Sequence, residues 1–314
     1  MLRIVSLLPA ATEIICALGA GDSLVGISHE CDHPLEIQGL PRLTKSAVTG
    51  KTSAQIDADV HANLSAGLSL YEIDWTLLAE LRPDLIVTQD LCDVCAASAE
   101  QVEASVRSVA GLAPKVLRLS PARFDDLYRS IDAVAEATGR HATASELCGG
   151  IRRRVDEVAE RAARVAEVPK VLTLEWIEPP MQGGYWTPDI VTLAGGVPLA
   201  AVAGEPSRVL AADELASLAP DVVVVKPCGF SLDRALEELR SFRALVPWRL
   251  WPAARSGRVY FADGNAWFNR PGPRLADSLE VLAMCLHPVA FRDFRRAYGY
   301  GVARITTDLM IERW

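Results

Sequence analysis

An internal repeat limits the folds open to this chain more than any other feature of the sequence. The segment LLAELRPDLIV at residues 77–87 recurs as ELASLAPDVVVV at residues 214–225, so that Pro83 corresponds to Pro220. In each copy, leucines three apart indicate a helix, a Pro-Asp pair ends it, and a short β-branched run follows. Such a continuous apolar run is typical of a strand buried on both faces of a parallel sheet.

Further pairs of segments repeat at a similar distance. RIVSLL at residues 3–8 has a counterpart in KVLTLEW at 170–176, and KVLRLS at 115–120 has one in RVYFADG at 258–264. Strands that alternate with helices predict an α/β fold. Each half is therefore expected to form an open α/β sheet with helices on both sides.

Between the two halves, the spacing of apolar residues predicts one long helix. The apolar residues from Leu147 to Val165 recur at intervals of three and four, which places them in one stripe, and Pro169 ends the segment. We therefore predict an N-terminal lobe, a connecting helix, a C-terminal lobe and a C-terminal extension. Their respective bounds are 1–140, 141–168, 169–287 and 288–314.

Two segments look like additions to the repeated lobes. Residues 44–74 are polar and resemble an insertion, which we expect to form a lid or an outer helix. Residues 288–314 continue past the last predicted lobe helix, 274–286, and we expect them to be a peripheral addition.

Charge and hydropathy exclude several classes of partner. The net charge is −8 and the sequence pI is about 5.3, so nucleic acid and anionic membranes are poor partners. No apolar run reaches the roughly 18 residues that span a bilayer, so an integral membrane protein is not expected. Pro9, Thr12 and Glu13 interrupt the first apolar stretch, so that no signal peptide is recognisable. This predicts a cytoplasmic location, or a periplasmic one if the chain has been trimmed.

Polar and aromatic residues follow the predicted strands, where ligands of open α/β sheets bind. The first lobe contributes the loop HECDH, with His29, Cys31 and His33. Aromatic residues cluster on the loops of the second lobe, which suits a large, flat and partly apolar ligand. The predicted ligand-binding residues are His29, Cys31, His33, Trp176, Tyr185, Trp186, Trp267, Phe268 and Arg270.

Four of the seven cysteines also lie after predicted strands. Cys92 and Cys95 have the C-x-x-C spacing that places two thiolates on one metal, and Cys31 and Cys228 would complete a four-sulfur site. Zinc or an iron–sulfur cluster accepts such ligands. A redox role and a purely structural role for these thiols remain open as alternatives. The other three cysteines, which lie in predicted helices, are expected to be small buried hydrophobes.

Four segments follow a recognisable pattern: SLLPAATEIICALGAGDSLVGIS with Ser6, Pro9, Thr12 and Glu13, then LRPDLIVTQD, the stretch from Glu178 to Gly196, and AWFNRPGPR. At these residues the chain resembles the vitamin B12-binding members of the class III substrate-binding proteins of ABC importers. The resemblance covers about residues 2–286. That family also includes siderophore, haem and metal receptors.

The resemblance implies two Rossmann-like lobes with mainly parallel sheets, joined by one long backbone helix, with the ligand held in the cleft between them. Trp267 matches the family tryptophan that packs on the corrin, and the loop from His29 to His33 matches the first-lobe loop at the ligand. In the family one glutamate per lobe docks on permease arginines, and Glu100 and Glu214 are the matches here. A cobalamin-like corrinoid is thus the expected ligand and an ABC permease the expected partner.

Three hypotheses about function follow from these observations. The first is a corrinoid-binding protein without covalent chemistry. The second is a cytoplasmic metalloprotein with a Cys-ligated zinc or iron–sulfur site and a redox or cofactor-handling role. The third is an enzyme on the same fold, in which His29, Asp32 and Glu178 would act as acid or base. Because no Walker A, GxSxG or GxGxxG motif is present, we expect a binding protein rather than an enzyme.

Overall fold

The computed structural model describes residues 2–89 and 113–314. By their internal contacts the residues divide into two compact units. The first comprises Met1–Lys51, Gln55–Pro121 and Asp125–Ile151, and the second comprises Thr52–Ala54, Ala122–Phe124 and Arg152–Trp314.

Strands and helices alternate along the described chain, and both are numbered here in chain order. The strands are β1 Ile4–Ser6, β2 Leu24–Ile27, β3 Thr44–Ser46, β4 Tyr71–Ile73, β5 Leu85–Gln89, β6 Lys115–Leu119, β7 Lys170–Trp176, β8 Met181–Gln182, β9 Val197–Pro198, β10 Val222–Val225, β11 Val259–Ala262, β12 Val302–Ile305 and β13 Ile311–Arg313. The α-helices are α1 Pro9–Ala17, α2 Ser53–Ser65, α3 Trp75–Leu81, α4 Asp126–Thr138, α5 His141–Ala163, α6 Thr187–Leu193, α7 Ala212–Ser217, α8 Leu232–Glu237, α9 Leu239–Leu245, α10 Pro252–Arg255, α11 Leu275–Leu286 and α12 Arg295–Tyr298.

The first unit is built on a parallel sheet whose described strands lie in the order β2-β1-β5-β6. Its central strands are buried on both faces, as the apolar runs predict. The helix before β5 has the expected boundaries. Asp74 accepts a hydrogen bond from the Leu77 amide at its start (2.9 Å), and Arg82 adopts a left-handed conformation (φ 43°) just before Pro83.

The segment 44–74 forms a small substructure of the first unit. Strands β3 and β4 pair antiparallel, with Thr44 opposite Ile73, and α2 lies between them in sequence. The predicted helix is confirmed, whereas the two strands that flank it were not predicted. Both strands have only three residues, which is too short for the period-two pattern that identifies a strand in a sequence.

The second unit repeats the arrangement of the first. Its sheet has the order β13-β12-β11-β10-β7-β8, and β9 also pairs with β7. The parallel part, β9-β7-β10-β11, matches β2-β1-β5-β6 position for position. The prediction of two repeated α/β halves is therefore confirmed. The four valines of β10 are fully buried, which explains their uninterrupted apolar run.

The C-terminal extension belongs to the second sheet. Strand β12 pairs antiparallel with β11, with Ala262 opposite Val302, and β13 pairs antiparallel with β12. Residues 288–314 thus add two strands at one end of the second sheet. These strands are four and three residues long, and they find their partners far away in the sequence, so no local pattern indicates them.

The predicted connecting helix is α5, which extends without interruption from His141 to Ala163. Ile151, Val158 and Ala162 of the predicted apolar stripe are buried. The boundary between the two units falls within this helix, at residues 151 and 152. Among the helices of residues 2–89 and 113–314, none is long and apolar enough to span a bilayer.

Candidate functional site

The candidate site in the second unit lies where its parallel strands end. Strands β7, β10 and β11 are parallel, so their carboxyl ends meet at one edge of the sheet. Strand β12 is antiparallel to β11 and therefore begins at that same edge. We call this region the carboxyl edge of the second sheet. It is the place where open α/β sheets bind their ligands.

A buried ion pair lies at this edge. Lys226 directly follows β10, and its side chain is 0% exposed. Its Nζ donates to Glu175 Oε2 (3.2 Å) and to Asn269 Oδ1 (3.0 Å). The Asn269 amide in turn donates to the carbonyls of Lys226 (3.1 Å) and Gly264 (3.0 Å), which fixes its orientation. A buried ammonium requires such partners, because an unpaired one would carry a large desolvation cost.

Glu175 connects this ion pair to two further loops. Its Oε2 also accepts from the Gly184 amide (3.2 Å), and its Oε1 accepts from the Ser207 hydroxyl. A Cβ on Gly184 would lie 2.4 Å from the Ser207 nitrogen, so only glycine permits this close packing of the two loops. Glu175 therefore holds the loops in place. Neither Glu175 nor Lys226 is among the predicted site residues, although a charged residue at the end of an apolar strand can be recognised in a sequence.

Several predicted aromatic residues of the second unit pack together. Trp186 Nε1 donates to the Phe268 carbonyl (2.6 Å), and the rings of Tyr185 and Trp186 stack at 6.0 Å between centroids. Lys226 Nζ lies 5.8 Å from the Phe268 ring centroid. Phe268 and Trp186 are almost fully buried, whereas Tyr185 and Trp176 keep part of their surface exposed. Trp176 packs edge-on against Phe230 at 5.4 Å.

Trp267 and Arg270 are also buried. The Trp267 side chain is 3% exposed and lies against Tyr298 (5.8 Å) and Tyr300 (5.7 Å), both from the C-terminal extension. Arg270 donates to Asn265 Oδ1 (2.7 Å). The contact of Trp267 with a corrin remains a prediction. In this structure its ring is covered by the extension.

In the first unit, His29 follows β2 and is held by residues of the segment 44–74. Thr44 Oγ1 accepts from the His29 amide (2.9 Å), lies 2.6 Å from His29 Nδ1, and shares a hydrogen bond with Ser28 Oγ (3.0 Å). The Tyr71 ring lies 5.6 Å from the imidazole. Burial, and then the nearby Arg42 guanidinium, lower the pKa of His29 from 6.5, so the ring is neutral at physiological pH.

The remaining residues of the HECDH loop have different environments. Cys31 is fully buried, with its Sγ 3.1 Å from Thr12 Oγ1, whereas His33 is exposed. In the other unit, Cys228 is exposed. Cys92 and Cys95 lie outside the described residues. Across residues 2–89 and 113–314, no group of three or more His, Cys, Asp or Glu side chains is placed to hold a metal ion.

The other three cysteines behave largely as predicted. Cys148 and Cys285 are buried, and Cys16 is partly buried. Burial is the main cause that raises the pKa of Cys16, to about 11, and it also raises the pKa of Cys285. The thiols of Cys16 and Cys285 are therefore protonated at neutral pH and unsuited to nucleophilic chemistry or metal binding.

Of the two predicted docking glutamates, only Glu214 is described, because Glu100 lies among residues 90–112. Glu214 is in α7 and forms a bidentate ion pair with Arg208, with N–O distances of 2.5 and 2.8 Å. The hydrogen bond from Arg208 lowers the pKa of Glu214, which keeps the carboxylate ionised.

The two units repeat the same parallel strand order, and the sequence of this chain matches a known protein family. The family model of periplasmic binding proteins matches residues 4–266, so the chain belongs to this family. Among its relatives, an ABC transporter substrate-binding lipoprotein of Bacillus subtilis is 24% identical over 303 residues, which cover 93% of this chain and 82% of the relative.

Two further proteins to which the chain is similar are named for different ligands. The vitamin B12-binding protein of Vibrio cholerae is 23% identical over 287 residues, covering 90% of this chain and 88% of its own length. The periplasmic haem-binding protein of Roseiflexus, in apo form, superimposes with a TM-score of 0.68 at 23% identity, covering 92% of this chain and 99% of its own. At this identity the structural similarity shows the fold.

Proposed function

We propose that the protein is the substrate-binding component of an ABC importer and that it binds a corrinoid of the cobalamin type. The observation that carries this proposal is the composition of the carboxyl edge of the second sheet. Partly exposed aromatic side chains lie there beside amide and hydroxyl groups, and the buried Lys226 is already neutralised by Glu175. Relatives named vitamin B12-binding protein support the same ligand.

The charge of this edge favours a corrinoid over haem. A corrin carries neutral amide side chains around its ring, whereas haem carries two carboxylates that need cations or water. Lys226 donates to Glu175, whose carboxylate neutralises it, so this ammonium offers no uncompensated charge to a haem carboxylate. The Asn265 amide and the Ser207 hydroxyl oxygen at this edge are groups of the kind that exchange hydrogen bonds with amides.

Haem is the second candidate, because a specific feature of the first unit suits a metal-containing macrocycle. The His29 imidazole is neutral at physiological pH, and its side chain is 25% exposed. A neutral imidazole is a ligand for iron as well as for cobalt. The structural similarity to a haem-binding protein also supports this candidate.

Isothermal titration calorimetry of the purified chain with cyanocobalamin and, separately, with haemin tests the proposal. We expect saturable one-to-one binding of cyanocobalamin and weaker binding of haemin. Hydrolysis of one peripheral amide of the corrin to a carboxylate should weaken binding, because Lys226 at this edge is already paired with Glu175. Tighter binding of haemin would favour the second candidate, and no binding of either would refute both.

A matched pair of variants tests the position of the ligand. Tyr185→Ser removes a partly exposed ring from the carboxyl edge of the second sheet and should weaken cyanocobalamin binding. Trp248→Ser removes a half-buried ring from the segment that precedes β11, at the other edge of the same sheet, and should leave the affinity unchanged. Equal affinities for the two variants would argue against a ligand at this edge.

Permease docking through Glu100 and Glu214 and a cytoplasmic location remain predictions. For Glu214 to meet an arginine of a permease, its ion pair with Arg208 must open or be shared. Cell fractionation with an antibody against the chain tests the location directly. A cytoplasmic result would separate this protein from importers that load outside the membrane.

A further inference from the structure

At this end of the second sheet, Trp267 is buried, whereas a tyrosine next to it is exposed. The Trp267 side chain is 3% exposed. Its ring is packed so closely against the extension that a Cβ on Gly301 would lie 2.5 Å from the indole. Tyr300, the neighbour of this glycine, is 72% exposed.

The topology places Tyr300 at the carboxyl edge. In the antiparallel pair β11–β12, Ala262 lies opposite Val302, and the Asp263 amide donates to the Gly301 carbonyl (2.9 Å). Tyr300, one residue before this contact, therefore lies beside the loop that follows β11. The strand order β12-β11-β10-β7 then places Tyr300, Asn265, Cys228 and Trp176 successively along one edge.

We propose that Tyr300 is a ligand-contacting residue and that the C-terminal extension thereby supplies one aromatic wall for the flat face of a tetrapyrrole macrocycle. This inference rests on the proposed function. A tyrosine suits the task because its ring packs on an apolar face while its hydroxyl reaches polar groups at the rim. The Trp267 ring lies 5.7 Å behind the Tyr300 ring and supports it from the core.

The chain contains a matched control for this proposal. Met310 is 67% exposed and also belongs to the extension, but it precedes β13 in the turn after β12. Since Val259 lies opposite Ile305, this turn is at the other edge of the sheet, where β11 begins. Tyr300 and Met310 are thus similarly exposed, on the same segment, at opposite ends of the strands.

Calorimetric titration of the full chain and of the variants Tyr300→Ala, Tyr300→Phe and Met310→Ala tests the proposal, with whichever macrocycle the unsubstituted chain binds. We expect Tyr300→Ala to raise Kd by roughly tenfold, as the loss of one aromatic contact does. Tyr300→Phe should retain most of the affinity, and Met310→Ala all of it. An unchanged Kd for Tyr300→Ala would overturn the inference and leave the proposed function standing. If the unsubstituted chain bound neither macrocycle, both would fail.

A measurement on the unsubstituted protein avoids any effect of substitution on folding. Tetranitromethane nitrates exposed tyrosines, and mass spectrometry locates the modified residue. We expect Tyr300 to be nitrated in the free protein and protected when the macrocycle is bound. Equal nitration of Tyr300 with and without bound ligand would overturn the inference.

Discussion

The two units share a strand order but differ at the edges where their strands end. In the first unit, the edge carries His29, held by Thr44 and packed near Tyr71. In the second, it carries the Glu175–Lys226 ion pair, aromatic rings and a tyrosine from the C-terminal extension. The repeated strands are apolar and buried in both units, so sheet packing alone requires none of these differences.

This difference indicates that the repeat specifies a shared scaffold and that added segments contribute residues to the edge of each sheet. Thr44 and Tyr71 belong to the segment 44–74, and Tyr298 and Tyr300 belong to the extension that begins at residue 288. The family model ends at residue 266, before the extension starts. The predictions that follow test how far each edge depends on such segments.

The largest effect is expected at Trp267, which joins the second unit to its extension. Trp267→Ala removes a buried indole that contacts Tyr298 and Tyr300, and large-to-small changes of this kind cost about 3–5 kcal/mol. Urea unfolding should show this loss in the transition of the second unit. Tyr300→Ala, at an exposed position, should cost less than about 1 kcal/mol. Similar costs for the two variants would mean that the extension is not packed through Trp267.

The ion pair of the second unit should respond asymmetrically to substitution. Glu175→Ala leaves a fully buried ammonium without its carboxylate and should cost about 3 kcal/mol. Lys226→Met leaves Glu175, 22% exposed, with its hydrogen bonds from Gly184 and Ser207, and should cost about 1–2 kcal/mol. The double variant should be more stable than Glu175→Ala alone. Urea midpoints measure all three, and additive losses would contradict a direct coupling.

Low pH should reduce the free energy of unfolding of both units, through one histidine in each. Burial is the main cause that lowers the pKa of His29 and of His287 from 6.5; Arg42 adds to the effect at His29, and Glu167 partly opposes it at His287. The unfolded chain then binds more protons near pH 6.5, so the free energy of unfolding falls as the pH drops through and below this value.

Urea unfolding of the unsubstituted chain, His29→Gln and His287→Gln at several values between about pH 7.5 and pH 5 measures this effect. Each variant should lose part of the acid sensitivity of its own unit and leave the other unit unaltered. A variant with an unchanged pH profile would show that its histidine does not contribute.

The smallest effect is expected at Cys228. Its side chain is exposed, so Cys228→Ser should alter the free energy of unfolding by no more than about 0.5 kcal/mol. Metal content, measured by mass spectrometry on anaerobically purified protein, should also stay the same. A four-sulfur site with Cys31, Cys92 and Cys95 predicts the opposite, namely loss of metal and of stability in this variant.

Much of the scaffold could be predicted because it depends on local patterns. The Pro-Asp stops, the apolar stripe of α5 and the valine run of β10 each indicate their own element. From these elements the positions of the carboxyl ends of the strands could also be predicted. The loops that carry His29, Trp176 and Cys228 were identified in the same way. The assignment of roles within those loops was less complete, because burial and pairing depend on residues distant in sequence.

The sequence by itself determined the repeated α/β units and the connecting helix, because periodicity and turn residues act over a few residues. Only the tertiary structure decided that the C-terminal extension joins the second sheet, that Trp267 is buried beneath Tyr300, and that Lys226 pairs with Glu175. These contacts join residues separated by between 33 and 51 positions in the chain. Their free energy comes from the exclusion of water between surfaces that no local pattern identifies as neighbours.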